Sequence, residues 1–328
     1  MRPIALIAFS VLMQAAAEAF LSGRISSGDS LRFSLLAFLG CTLLFTAVGR
    51  VGRVGRTKNR RPARPSPGPG AWRLFAELNV ASAVTFLGLY VALVWVPAAL
   101  AASLMAGIGP LAASTLARLS GEARPAAYWA RSVGLFGASL VCAAAVQPAV
   151  LDTSSWQSGP AASAAGAVLA LLAGIGAAVL ARLSRRLGER GIAPSVVMTH
   201  RFHLTYTVAA LALTSHQLAE PPRLGWAVTA LVAFGGVVIP LYALQIGAQR
   251  TAAPVTMALL AAQPGLAYLV QGALGYPVTV QGTVAVVLLL LAATAVARAE
   301  HRLPRDEAAA PVRRHPATHP SDAAEAPR

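Results

Sequence analysis

The sequence predicts an all-α integral membrane protein of ten transmembrane helices, on three observations. The 328 residues are 56% hydrophobic and only 12% charged, with a mean hydropathy of +0.62. A soluble domain carries about 25% charged residues because water must wet its surface, so lipid must cover much of this chain. The apolar residues also fall into ten runs of about 20, the length a helix needs to cross a ~30 Å hydrocarbon core. Finally, the basic residues sit between those runs on alternate sides.

The runs span 4–22, 31–49, 75–95, 98–118, 128–147, 161–181, 195–214, 226–246, 254–274 and 279–297. They lack the period-2 alternation of a lipid-facing barrel, and helices satisfy every backbone polar group internally. Abundant Ala and Gly let such helices approach closely. The first run follows Arg2 in the manner of a signal peptide. Its length, its internal Glu18 and the runs after it favour an uncleaved first helix.

The net charge of +15 rests on 27 basic residues, all Arg except Lys58. They cluster in connectors and not along a folded basic face, so a nucleic-acid partner is not expected. With the N-terminus in the cytoplasm, twenty-three fall on the cytoplasmic side and two, Arg24 and Arg223, on the other. Arg32 and Arg201 lie within helices. Cytoplasmic loops attract Lys and Arg, so both termini are expected in the cytoplasm of a multi-pass cell-membrane protein. Residues 50–73 read as a basic loop, either solvated or touching anionic headgroups. The Pro-, Ala- and Arg-rich tail 299–328 reads as disordered. Cys41 and Cys142 lie inside apolar runs and read as packing residues.

A faint internal repeat divides the chain into 1–149 and 150–298. Residues 98–110 align with 252–264 at an offset of 154, pairing Pro110 with Pro264, and the same offset carries Gly121 onto Gly275. Arg32-Phe33 in the second run is echoed by Arg201-Phe202 in the seventh. Five helices per half is an odd number, so the halves are inverted, as in many transporters.

These features resemble the drug/metabolite transporter superfamily, specifically its EamA-like ten-helix members. The residues carrying the resemblance are Arg32, the stretch from Ala98 through Pro110 to Gly121-Glu122, Trp129, Gly134 and Gly137. In the second half they are Arg201, Pro264, Gly275 and Gln281. The pattern departs at Tyr276, where the family has glutamate after glycine. The resemblance covers 4–298 and implies export of a small metabolite or drug by alternating access, often proton-coupled.

Charged and polar groups inside a bilayer are functional candidates because burying them is costly. Glu18, with Gln14 one turn earlier on the same face, is a candidate proton carrier; its bland reading is a structural pair with Arg32. Arg32 and Arg201 suit either an anionic substrate group or structural pairing. Asn79, Tyr90, Tyr242, Gln245 and Gln263 either line a cavity or bond between helices. His200 and His203 suit a proton relay, substrate contact or interfacial packing. Neither a metal site nor any cofactor is expected, since no third ligand accompanies them. Pro110 and Pro264 read as paired mid-helix kinks, and Glu122 as part of a structural turn. No Gly-Lys-Ser/Thr phosphate loop occurs, so an ion or solute gradient must drive any transport. The competing readings are a membrane scaffold or sensor and an intramembrane enzyme, the latter disfavoured because no set of catalytic groups converges.

Overall fold

Lipid offers a backbone no water to bond, so an apolar chain must pair its amides within helices. The computed structural model describes residues 3–54, 69–121, 126–151, 159–214 and 221–301. It is about 87% helical, with no strand among the described residues. Six runs form unbroken helices: α1 (Pro3–Leu21), α2 (Ser27–Val54), α3 (Pro69–Trp95), α4 (Ala98–Leu119), α5 (Ala126–Leu151) and α6 (Pro160–Glu189). The seventh and ninth are broken, and the eighth is continuous but carries a π-helical turn. The seventh holds α7 (Pro194–His200) and α8 (His203–Ala212). The eighth holds α9 (Gly225–Ala233), a π-helical turn (Phe234–Val238) and α10 (Ile239–Gln249). The ninth holds α11 (Ala253–Leu260) and α12 (Gln263–Ala273). Helix α13 (Val280–His301) is continuous.

Six helical stretches are long and apolar enough to cross a membrane: Pro3–Leu21, Ser27–Arg50, Ala71–Trp95, Ala98–Leu119, Pro160–Glu189 and Gly225–Gln249. Helices α5 and α13 contribute shorter apolar stretches, Trp129–Ala145 and Val280–Ala295. Large apolar side chains such as Leu43, Leu211, Leu231, Val280 and Leu291 face outward, a surface that suits lipid and not water.

Several helix ends overrun their apolar runs. Helix α2 continues to Val54 and α3 starts at Pro69, so the expected basic loop 50–73 is shorter at both ends. Helix α5 passes the expected boundary at 149, and α13 passes the one at 298. A helix need not stop where apolar residues stop, because its backbone bonds continue into the polar headgroup zone. Residues 55–68, Glu122 and the tail from 302 lie outside the described residues.

Packing is close where glycine allows it. Helix α3 packs on α6, α4 on α5 and α6, α1 on α10 and α12, α2 on α7 and α8, and α5 on α13. A Cβ at Gly176 of α6 would stand 3.2 Å from the Ala81 carbonyl oxygen of α3. One at Gly247 of α10 would stand 3.0 Å from the Pro3 carbonyl oxygen of α1. At both glycines, therefore, helix backbone meets helix backbone, and an added methyl would crowd a neighbouring carbonyl.

Each interruption has a local cause. Between α7 and α8, the Asn79 side chain of α3 enters the helical ladder. Its Nδ2 donates to the His200 carbonyl at 2.6 Å, and its Oδ1 accepts from the Leu204 amide at 3.1 Å. Those two backbone groups would otherwise bond each other as an i, i−4 pair. In the eighth run Pro240 brings no N–H to the ladder. The Ile239 amide reaches back to the Phe234 carbonyl, widening one turn. Between α11 and α12 the chain turns at Ala261-Ala262, and Pro264 occupies the first turn of α12, where a missing N–H costs nothing. Pro264 therefore starts a helix, whereas Pro110 sits inside the unbroken α4. Pro110 is mid-helix as expected and Pro264 is not, so the two do not form a matched pair.

Candidate functional site

A cavity opens where α1, α3, α4, α6, α10, α11 and α12 meet the α7–α8 break. About 480 Å³ of non-atom space lies between these elements, part of it outside the cavity in open solvent. The cavity lining includes the apolar side chains of Phe86, Met105, Leu180 and Leu260. It also includes buried polar side chains, chief among them Gln14, Arg201, Gln245 and Gln263. Polar groups are buried in apolar surroundings only at a cost unless they find partners, so each contact carries information.

The break in the seventh run brings Arg201 inward, 3% exposed. Its Nε donates to Ser82 Oγ at 3.1 Å and its Nη1 to Gln245 Oε1 at 3.0 Å. The guanidinium also lies over the rings of Phe202 and Phe86, 5.2 and 5.5 Å from their centres, a favourable cation–π placement. Ser184 donates to the same Gln245 oxygen at 3.1 Å. Gln245 Nε2 has no hydrogen-bond partner.

Gln263 joins the cavity to Glu18. Its Nε2 donates to both carboxylate oxygens of Glu18, each at 2.7 Å, while its Oε1 has no partner. Glu18 is 2% exposed, so this amide closes off the one buried carboxylate of α1. Gln14 also lines the cavity and donates to Ser10 Oγ at 2.6 Å.

Arg32 occupies a different setting. Its Nη1 pairs with Asp29 Oδ1 at 2.8 Å, and both side chains are buried. The expected pairing of Glu18 with Arg32 is replaced by pairs with Gln263 and Asp29. Asp29 in turn accepts from the Ser26 amide and hydroxyl, and the Ser26 hydroxyl accepts from the Asp29 amide, a reciprocal cap at the start of α2. The Arg223 amide also donates to Asp29 at 3.3 Å.

No family model matches the chain, and no curated protein does. A solved structure, "Crystal structure of protein", is similar at 21% identity with a TM-score of 0.64, over 92% of this chain and 97% of that one. At that identity the likeness shows a shared fold alone.

The structure brings Gln14, Arg201, Gln245 and Gln263 to one cavity, with Glu18 directly behind. It places the other candidates elsewhere. Asn79 splits the seventh run. Tyr90 is buried against Phe33, their ring centres 5.0 Å apart. Tyr242 packs on Phe45 at 4.7 Å. The His200 ring lies against Trp72 and Phe75, and the exposed His203 bonds the Tyr206 hydroxyl at 2.8 Å. No group of three metal-ligating side chains occurs among the described residues. Gly121 and Gly275 both follow a helix end with positive φ, 76° and 91°, a conformation that favours glycine. Tyr276, at the departure from the family pattern, donates its hydroxyl to the Ser22 carbonyl at 3.1 Å, tying the end of α1 to the turn after α12.

Sequence reasoning missed Ser82, Ser184 and Asp29. Asp29 had a readable signal, since Ser26-x-x-Asp29 is a capping spacing and Asp29 precedes Arg32 by one turn. The two serines had none, because a small hydroxyl within an apolar run is ordinary.

Proposed function

We propose that this chain is a secondary-active transporter, an exporter of a small organic solute, built from ten membrane spans in two inverted five-helix halves. The observation that carries this reading is the buried, partly polar cavity between elements of both halves, with Glu18 reached through Gln263. Alternating access requires a central site that both halves can close around. A carboxylate that can take up and release a proton next to that site supplies a means of coupling. Both termini are placed in the cytoplasm by the distribution of arginines, in the cell membrane.

Helix pairing supports the inverted repeat. Exchanging each span for the one five later turns the α3–α6 contact into the contact of the eighth span with α1. It turns α4–α6 into the ninth span on α1, and α4–α5 into the ninth on α13. The contacts of α2 with the seventh span, α4 with the ninth and α5 with α13 map onto themselves. One contact, α6 with α10, has no counterpart of similar extent. Left-handed glycines follow the same pattern: Gly23 closes α1 as Gly191 closes α6, and Gly121 closes α4 as Gly275 closes α12. With the residues already quoted, this supports an EamA-like drug/metabolite transporter.

The test is flux through vesicles containing the purified full chain, loaded with a mixture of metabolites and subjected to a proton gradient. Selective loss of particular solutes, abolished by a protonophore, is the expected result. If no solute moves with or without the gradient, while another protein co-purifies in fixed ratio, the chain is a scaffold or sensor.

A further inference from the structure

We infer that the cavity selects a small organic monoanion, an apolar body bearing one carboxylate that docks on Arg201 and Gln245. This inference rests on the transporter reading and names the class of its substrate.

Charge balance is the starting point. Among the described residues no carboxylate lies within 4 Å of Arg201, although its side chain is almost wholly buried. Arg32, the corresponding arginine of the first half, has a buried carboxylate at 2.8 Å. A buried cation without a counter-ion is costly, and one lining a cavity can be matched by a ligand that enters it.

Donor inventory then sets the head group. A guanidinium has five N–H donors in a planar fork. Ser82 and Gln245 engage Nε and Nη1, leaving donors on the fork unengaged. The Gln245 oxygen is held by both Arg201 and Ser184, which fixes the amide and leaves its buried Nε2 without a partner. The unengaged groups of Arg201 and Gln245 are donors beside a positive charge, which suits an acceptor-only head, and an ionised carboxylate is one.

The remaining walls set charge number and body. Arg201 is the one cation among the residues lining the cavity, so a dianion such as a phosphate monoester would bring a second charge with nothing to meet it. Phe86, Met105, Leu180 and Leu260 offer apolar contact to the rest of the molecule. Glu18 stands behind Gln263 and is itself occupied by that amide, so it does not present a bare negative charge to the anion.

A set of probes with similar aromatic bodies and different heads tests this: phenylacetate, phenethylamine, 2-phenylethanol and phenyl phosphate. Each is titrated against the detergent-solubilised full chain, reading the thermal unfolding midpoint. Phenylacetate should raise the midpoint in a saturable way, and the amine, alcohol and phosphate should bind at least about tenfold more weakly, the loss of one charge-assisted contact. Arg201→Gln should weaken phenylacetate by about tenfold to a hundredfold, with Arg201→Lys in between. Equal stabilisation by the amine or the alcohol, or no response to phenylacetate at millimolar concentration, overturns the inference. These comparisons use the unmodified chain and do not depend on either variant folding. Binding needs no gradient: phenylacetate binding without flux of any solute breaks the transporter reading alone, and flux without carboxylate preference breaks this one alone.

Discussion

Two arginines, Arg32 and Arg201, begin as equivalent marks in the two halves and end in opposite circumstances. Arg32 lies in the first turns of an unbroken helix, held by Asp29, which also caps that helix. Arg201 lies at a break, held by neutral groups and aromatic faces, on the wall of a cavity. The contrast extends to the halves themselves. Helices α1 to α5 are continuous, whereas in the second half two of the five runs are broken and a third carries a π-helical turn. Of the seven buried polar residues lining the cavity, four, Arg201, Gln245, Thr256 and Gln263, come from those three runs, and Gln14, Thr85 and Ser184 come from continuous helices. A continuous helix keeps its polar backbone to itself and buries its apolar stripe. An interrupted one turns side chains and backbone ends toward the interior, which suits binding better than scaffolding.

That contrast can be broken experimentally. The largest effect is expected from Asp29→Asn, which removes the carboxylate paired with the buried Arg32. Removing one partner of a buried pair costs about 3–5 kcal/mol, so the thermal midpoint and folded yield should fall sharply; a midpoint within a degree of the parent would show that Arg32 needs no counter-ion. Next, Asn79→Ala removes the amide that separates His200 from Leu204. Loss of its hydrogen bonds should cost about 1–3 kcal/mol and reduce flux, because Arg201 is no longer held inward. If the α7–α8 segment simply closes into a continuous helix with flux retained, the break is not what forms the site.

Glu18→Gln should reduce proton-driven flux about tenfold or more while leaving the folded yield near that of the parent, since a neutral side chain is readily tolerated in this interior. Preserved, still pH-dependent flux would remove Glu18 from coupling. The smallest effect is expected at Gly275. A side chain there meets no neighbour, so Gly275→Ala should cost only the strain of the left-handed conformation, about 1 kcal/mol. A matching loss at Gly121→Ala would show that the corresponding turns of the two halves are equally demanding.

The helices were legible because a membrane-crossing helix needs a long apolar run, and six helical stretches are long and apolar enough to cross a membrane. The breaks were not. The one in the seventh run depends on Asn79, 121 residues from its carbonyl partner, and nothing near His200 announces it. Proline gave a partial signal: Pro240 and Pro264 mark two of the interruptions, yet Pro110 marks none, because composition alone does not say whether a helix bends or restarts. Among the site residues, buried charges and glutamines declared themselves by their cost in lipid, so Glu18, Arg201, Gln245 and Gln263 were readable. Their partners were not, because which amide meets which carboxylate is fixed by packing between spans far apart in sequence. Tyr242 and His203 show the converse: polar in sequence, they are accommodated at ring contacts and at the outer surface.

The bond from Gln263 to Glu18 has a further consequence. A carboxamide has one accepting end and one donating end, and turning it over exchanges them. While Glu18 is ionised it demands the donating end, which leaves the carbonyl oxygen of this cavity-lining residue without a partner. Once Glu18 is protonated its hydroxyl can bond the carbonyl instead, and the flipped amide shows the cavity its NH₂. One proton on α1 would thereby change the chemical polarity of a wall it does not touch, converting an acceptor into a donor for whatever occupies the space.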